Sequence, residues 1–185
     1  MTADAAPGAP NAAPGTIDLR VRPATAADAA LIAGHGVAMF RDMGQVPTAD
    51  AGDALAAAAS DYLAGAIARG EYHGWLAVAP GGAVVAGAGV QLRAIVPSPA
   101  PAGVPGPLTA PQALLLNVYT APAWRRRGLA ERLVREALAW ARGRGASSVR
   151  LHASAAGRGL YARLGFAPTN EMIYRPPGPN ESTSA

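Results

Sequence analysis

The chain has 185 residues, half of them apolar, which is enough to build the core of one domain. It contains no cysteine, which excludes disulfides, thiolate metal sites and a cysteine nucleophile, and His35, His73 and His152 lack metal-ligand spacing, so we expect no metal. The net charge is +4 and all 16 basic residues are arginine, but the few aromatic residues do not alternate with them, which argues against a nucleic-acid partner.

The two ends of the chain differ in composition from the middle. Residues 1–15 and 177–185 carry almost no bulky apolar side chains, so we predict disordered tails around a single domain at 16–176. No apolar run approaches the roughly 20 residues of a membrane span. The first residues also lack the basic-then-apolar order of a secretory signal, so we expect a cytoplasmic protein without membrane contact.

The first predicted elements are a strand and two helices. Ile17 to Val21 alternates with period two, which favours a strand. Thr25 to Asp28 resembles a capping box and predicts a helix that runs to about Phe40. A second helical region covers Thr48 to Ala68, and the pattern leaves a break at Gly52 open.

Strand-like runs fill the middle of the sequence. Trp75–Ala79 and Ala83–Ala94 are apolar and are separated by Pro80-Gly81-Gly82, which predicts a hairpin-like turn. Residues 96–111 are rich in proline and predict a loop that is long for a compact domain. A further strand is predicted at Ala113–Thr120.

A clean amphipathic helix is predicted from about Arg126 to Arg142. Glu131 and Arg135 form an i,i+4 pair on its polar side, and Gly143 with Gly145 would end it. Its apolar face consists of Leu129, Leu133, Val134, Ala137, Leu138 and Ala141.

The remaining pattern predicts a strand at Ser148–Ala153, a short helix at about Gly157–Leu164, and a last strand pair opened by Gly165-Phe166 that includes Met172–Arg175. The order of elements, βααβββαβαβ, predicts an α/β fold: a mixed, partly open sheet with helices on both faces.

The junction of the 113–120 strand with the following helix has the features of a phosphate-binding site. A helix N-terminus offers unpaired N–H groups and partial positive charge, and here Arg125, Arg126 and Arg127 precede it. A nucleotide P-loop is excluded because the chain has no lysine. A dinucleotide fingerprint is excluded because Gly128 stands alone in its turn.

The residues Arg125-x-x-Gly128-x-Ala130 resemble motif A of the GNAT family of N-acetyltransferases. The run from Leu160 to Phe166, Leu-Tyr-Ala-Arg-Leu-Gly-Phe, is similar to the family's motif B and follows at a family-like distance. The resemblance implies a GNAT-like acyl-CoA N-acyltransferase fold with a splayed central sheet. It also implies acetyl-CoA as co-substrate.

The resemblance further implies roles for particular residues. The pantetheine arm of the cofactor would pair with the backbone of Val118, Tyr119 and Thr120. Tyr161 would be the catalytic acid that protonates the leaving thiolate, with a packed structural tyrosine as the alternative. The diphosphate would lie on the loop and helix start formed by Arg125, Arg126, Arg127, Gly128, Leu129 and Ala130.

Two positions depart from the family pattern. Seven residues before Tyr161 the family often has asparagine, whereas this chain has Ser154, which would take that place at the cofactor and can still cap a helix. Many members also carry a glutamate near the start of the motif A strand, where this chain has only leucines. The general base therefore stays open between a water chain and three side chains, namely Glu71, His73 and His152.

The sequence thus predicts an acetyl-CoA-dependent N-acetyltransferase that transfers acetyl directly to a primary amine of an unidentified acceptor, either a small molecule or a peptide. A non-catalytic acyl-CoA-binding module on the same fold is the alternative, and a nucleic-acid-binding domain is a weaker one. Asp42, Asp50 or Glu71 can hold a cationic acceptor or can simply be solvated surface groups. A homodimer is left open.

Overall fold

The computed structural model describes residues 19–96 and 111–174. The predicted tails, most of the proline-rich loop and the first two residues of the 17–21 strand lie outside the described residues. The described chain forms two compact units that divide between His152 and Ala153.

The described residues of the first unit form one sheet and three α-helices. Short 3-10 turns at Ala26–Asp28 and Pro122–Trp124 precede the first and third helices. The helices are α1 (Ala29–Asp42), α2 (Ala49–Ala68) and α3 (Leu129–Gly143). The strands are β1 (Arg20–Pro23), β2 (Tyr72–Val78), β3 (Val84–Arg93), β4 (Gln112–Thr120) and β5 (Ser148–Arg150).

The five strands lie in the order in which they occur in the chain. The β1–β2, β2–β3 and β3–β4 pairs are antiparallel, whereas β4 and β5 are parallel. The connections account for two of these pairs, because a tight turn at Gly81 and Gly82 returns β3 antiparallel to β2, whereas the crossover helix α3 returns β5 parallel to β4. The predicted mixed, open sheet is confirmed.

Side-chain hydrogen bonds cap the N-termini of the turn before α1 and of helix α2. The Thr25 N–H donates to the Asp28 carboxylate at 2.8 Å, as the capping pattern predicts. Arg22 donates two hydrogen bonds to the same carboxylate and holds the pKa of Asp28 well below its usual range. The Thr48 hydroxyl accepts from the Ala51 N–H at 3.2 Å, and α2 continues through Gly52 without a break.

The helices cover opposite faces of the sheet. Helix α1 contacts β4 and helix α2 contacts β2, with a shared core that includes Ile32, Leu63 and Leu76. Helix α3 contacts β2, β3 and β4 from the other side. It buries the predicted apolar face, apart from the half-buried Leu138, and the predicted Glu131–Arg135 pair forms at 2.7 Å.

Three sequence predictions need correction. Helix α3 begins at Leu129 rather than Arg126, because Arg126 (φ 62°) and Gly128 (φ 77°) are left-handed and cannot lie in a right-handed helix. Strand β5 ends at Arg150 rather than Ala153, at the last residue that pairs with β4.

The last strand pair is also wrong for the residues that the structure describes. No strand occurs between Gly165 and Tyr174, and residue 175 lies outside the described range. The side chains of Met172, Ile173 and Tyr174 are largely exposed. A strand needs a neighbouring strand to pair with its backbone N–H and C=O groups, and a local sequence pattern does not show whether such a neighbour is present.

In the described residues of the second unit, one short helix, α4 (Arg158–Arg163), lies within the predicted 157–164 segment. Throughout the described ranges, no helix has the length and apolar character needed to cross a membrane.

Candidate active site

The loop between β4 and α3 presents unpaired backbone donors. The first helical hydrogen bond of α3 runs from the Arg132 N–H to the Gly128 carbonyl at 3.0 Å. The N–H groups of Leu129, Ala130 and Glu131 therefore have no partner within the helix. Apart from its chain neighbours, no described atom lies within 4 Å of a Cβ placed on Gly128, so the loop is open on that side.

The three arginines of this loop have different surroundings. The Arg125 side chain donates to the Thr120 carbonyl at 3.0 Å and pairs with Asp42 at the end of α1 at 2.5 Å. Its backbone N–H donates to the Pro122 carbonyl at 3.3 Å, so the donors left for a ligand come after it. Arg127 donates to a backbone carbonyl at 3.1 Å and lies over Trp124.

Arg126 differs from its two neighbours. Its backbone is left-handed and its side chain is exposed. It is therefore the arginine of this loop whose charge is most available to an anion at the start of α3.

Strand β4 has an open edge next to this loop. Strand β5 pairs with Gln112–Leu114 only, whereas β4 continues to Thr120. In the described part of the chain, the β4 edge beyond Leu114 thus has no strand partner. A strand edge of this kind presents backbone N–H and C=O groups to any extended ligand.

A bulge interrupts β4 along this stretch. Gly89 faces Leu116 and Gly87 faces Tyr119, so β4 contains one more residue than β3 between the two pairs. Asn117 in the bulge has φ 53°, a left-handed conformation that asparagine tolerates better than most residues.

The end of β4 carries a buried polar atom without a partner. The Thr120 hydroxyl makes no hydrogen bond to any described residue. Thr120 pairs with Ala86 and so lies on the face of the sheet that α3 covers. An unsatisfied buried hydroxyl costs stability, so this position is a weak point of the packing.

On the opposite face, Tyr72 reaches across the sheet to the bulge. The Tyr72 ring crosses Gly89, where a Cβ would collide with the tyrosine hydroxyl. That hydroxyl accepts a long hydrogen bond from the Asn117 amide at 3.5 Å. Burial raises the pKa of Tyr72 to about 12, so the phenol is neutral at physiological pH.

A small pocket of about 50 Å³ lies between α1 and α2 and extends to Asn117. The side chains around it are almost entirely apolar, and they include Ile32, Val37, Phe40, Leu55 and Leu63.

Another residue of α1, His35, lies over the Gly87–Tyr119 pair. Its ring centroid is 4.7 Å from that of Tyr119, and its Nδ1 is 3.7 Å from the place where Gly87 lacks a Cβ. Burial lowers the pKa of His35. This histidine was not predicted from the sequence as a site residue, although the alternating glycines of β3 were a signal that side chains cross the sheet there.

The candidate bases from the sequence lie elsewhere. Glu71 is exposed and pairs with Arg69 at 2.8 Å, which lowers the pKa of Glu71. His73 stacks on Trp140 of α3 at 4.6 Å, on the opposite face of the sheet from α1. His152 is exposed and lies two residues beyond β5.

The acidic side chains considered for the acceptor are also at the surface. Asp42 pairs with Arg125, and Asp50 is exposed in the first turn of α2. Within the described ranges, no group of three potential metal ligands comes together.

Tyr161 and Ser154 belong to the second unit. The Ser154 hydroxyl accepts from the Gly157 N–H at 3.2 Å, in the turn before α4, so it caps this turn rather than the first residue of the helix. Tyr161 lies edge-on to Phe166 with ring centroids 5.7 Å apart. Partial burial raises the pKa of the Tyr161 phenol.

Comparison with solved structures finds similar proteins over most of the chain. A GCN5-related N-acetyltransferase from Ralstonia eutropha JMP134 is 34% identical, with a TM-score of 0.76, and covers 86% of this chain and 99% of its own. A predicted acetyltransferase with acetyl-CoA from Clostridium acetobutylicum is 23% identical, with a TM-score of 0.73, and covers 85% and 96%. Glucosamine-6-phosphate N-acetyltransferase from Arabidopsis thaliana is 13% identical, with a TM-score of 0.60, and covers 85% and 97%.

The two more distant structures share the fold, whereas the first is also related in sequence. No curated protein matched the sequence. The family model described as Acetyltransferase (GNAT) family matches residues 40–166, which include the β4–α3 loop and the Leu160–Phe166 run. The chain therefore belongs to the GNAT family of acetyltransferases.

Proposed function

We propose that this protein is an acetyl-CoA-dependent N-acetyltransferase that transfers acetyl directly to a primary amine. The observation that carries the proposal is the open β4 edge running into the unpaired N–H groups at the start of α3. An extended thioester arm fits the first feature and a diphosphate fits the second.

The residues present fit this co-substrate. Val118, Tyr119 and Thr120 offer strand backbone to the pantetheine arm. The N–H groups of Leu129 and Ala130 suit the diphosphate. So does the open side of the loop, which is formed by Arg125, Arg126, Arg127 and Gly128. Acetyl-CoA supplies an activated acyl group as a thioester.

The proposed reaction uses no covalent enzyme intermediate. The neutral amine attacks the thioester carbonyl carbon, a C–N bond forms, and the C–S bond then breaks. Backbone N–H groups of the open β4 edge would stabilise the oxyanion. Tyr161, by its match to the family motif, would donate a proton to the leaving sulfur. A tyrosine phenol is protonated at neutral pH, and partial burial raises the pKa of this one further.

A small-molecule amine is the acceptor class that we propose. Among the structural neighbours, the Arabidopsis protein is a glucosamine-6-phosphate N-acetyltransferase. The apolar pocket between α1 and α2 is too small, at about 50 Å³, for more than a short apolar group, so most of such an acceptor would lie outside it.

The first experiment measures cofactor binding by calorimetry. Gly128→Asp places a carboxylate beside the proposed diphosphate site, and we expect CoA affinity to fall by about 10²-fold or more. Gly145→Asp is a matched control, because Gly145 (φ 74°) is also left-handed and open but follows the other end of α3. Equal affinities of the two variants, or wild-type affinity for CoA no better than for pantetheine, would contradict the proposal.

The second experiment separates the enzyme from the non-catalytic acyl-CoA-binding alternative. Thiol release is measured with a panel of amines, and the absence of lysine means that lysine self-acetylation cannot contribute to the signal. Tyr161→Phe should lower kcat about 10²-fold and leave the KM for acetyl-CoA nearly unchanged. Tight CoA binding without turnover of any amine would favour the binding module.

A further inference from the structure

The general base is the part of the reaction that the sequence left open. We propose that His35 is this base and that it takes the proton from the acceptor's ammonium group. The inference rests on the proposed acetyltransferase function and adds one catalytic residue to it.

The position of His35 relative to β4 carries the argument. Its ring lies against Tyr119, one of the residues at the open edge of β4, with centroids 4.7 Å apart. The next residue of α1, Gly36, lies beside the bulge, where its missing Cβ would be 3.9 Å from Asn117 Oδ1. Helix α1 therefore crosses the bulge at these two residues, and His35 is the one with a side chain that can accept a proton.

The space for the imidazole comes from β3. Gly87 pairs with Tyr119, and the absence of its side chain leaves room for His35 Nδ1 above the strand. The ring is only partly buried, so an acceptor amine can reach it. A fully buried histidine would not be reachable, and a fully exposed one would not be held in place.

The neighbouring groups favour a neutral imidazole. Tyr119 of β4 is the titratable group in contact with the ring, and Leu76 of β2 and Gly87 of β3 bring no charge to this place. Asp42, further along α1, is paired with Arg125. Tyr72 also reaches the bulge, but its phenol holds its proton at neutral pH, so it cannot be the base.

The other candidates are poorly placed for this step. Glu71 and His152 are exposed, and Glu71 is already paired. His73 is stacked on Trp140, on the face of the sheet opposite α1.

Each proton in the proposed step has a donor and an acceptor. One imidazole nitrogen of His35 accepts a proton from the acceptor ammonium, which frees the nitrogen lone pair to attack the thioester carbonyl. The proton that the product nitrogen loses replaces, by way of solvent, the one that Tyr161 gives to the leaving sulfur, and the proton on His35 goes to solvent at the end of the cycle. Burial lowers the pKa of His35 below its usual 6.5, so the base is neutral at pH 7.

The test is a pH–rate profile of kcat/KM for the best amine acceptor, with wild type, His35→Gln and His73→Gln. His73 is a matched control because burial also lowers its pKa, with a smaller contribution from Arg144, while it faces α3. In wild type and His73→Gln, the rate should fall as pH drops through an apparent pKa below 6.5. In His35→Gln this acidic limb, meaning the separate inflection below pH 6.5, should disappear and leave only the steady fall with pH that follows the neutral amine. The rate at pH 7 should fall about 10²-fold.

A merely structural role is distinguished by the high-pH end of the profile. As pH rises toward the pKa of the acceptor, the amine is already neutral and needs no base. The deficit of His35→Gln should therefore shrink with pH, whereas a packing defect would persist. CoA affinity and melting temperature should match wild type, and His35→Asn provides a smaller replacement if glutamine disturbs the packing.

The outcomes separate the two proposals. If wild type acetylates amines and both His35 variants keep the acidic limb, His35 is not the base and the proposed function stands. If the limb disappears in His73→Gln instead, the assignment is also overturned. If wild type binds CoA but acetylates no amine, both proposals fail together.

Discussion

On the face of the sheet that α3 covers, β3 presents Ala86, Ala88 and Val90, whereas on the face that α1 and α2 cover it presents Gly87 and Gly89. The first three are buried and pack as an ordinary core. The glycines leave space, and two polar side chains occupy it. Tyr72 crosses Gly89, and His35 lies over Gly87.

Strand β3 thus has a different role on each of its two faces. Side chains that alternate along a strand point to opposite faces, so each face can be chosen separately. The small apolar residues that face α3 form a close-packed apolar layer between the sheet and that helix. Glycines facing α1 and α2 let functional groups approach the backbone of β4.

The largest expected effect comes from the α3 face. Leu133 is fully buried on α3, and Leu133→Ala should lower the free energy of unfolding by about 2–5 kcal/mol through lost burial and a cavity. Chemical denaturation measures this change. Well below the melting temperature, kcat per folded molecule should match wild type. A large loss of kcat would show that the α3 face is not merely a support.

A smaller loss is expected on the glycine-rich face. Gly89→Ala places a methyl group where the Tyr72 hydroxyl lies, and the overpacking should cost about 1–3 kcal/mol. In a Tyr72→Leu background the same substitution should cost much less, because the colliding hydroxyl is gone. A double-mutant cycle measures this coupling, and strictly additive effects would contradict the crossing of Tyr72 over Gly89.

The smallest effect should be a gain. Thr120→Val replaces an unpartnered buried hydroxyl on the α3 face with a methyl group of similar size. We expect the free energy of unfolding to rise by about 1 kcal/mol in the absence of ligand. Urea denaturation of wild type and Thr120→Val, without and with CoA, measures this free energy. Destabilisation without ligand would mean that the hydroxyl has a partner after all.

The sequence predicted the elements whose signals are local. The apolar run of β4, the apolar face of α3 and the Thr25–Asp28 cap each depend on residues a few positions apart, and all three are present. The β4–α3 loop was located correctly for the same reason. The length of this loop was not predicted correctly, because no sequence pattern reliably indicates a left-handed backbone at an arginine such as Arg126.

Features that depend on distant residues were not predicted. Tyr72 meets Asn117 across 45 positions of sequence, and His35 meets Tyr119 only because α1 lies over β4. The last strand pair was predicted from local pattern alone, and the described residues there have no partner. A role for an isolated histidine on a helix, such as His35, can be assigned only when the strands that it lies over are known.

The short pairing between β4 and β5 has a consequence for handling the protein. A strand edge without a partner is a template for another chain, and the segment from Leu115 to Thr120 is mostly apolar or aromatic. At high concentration, the protein without ligand should therefore self-associate through this edge. CoA added during purification would compete for the same backbone groups and keep the preparation monodisperse.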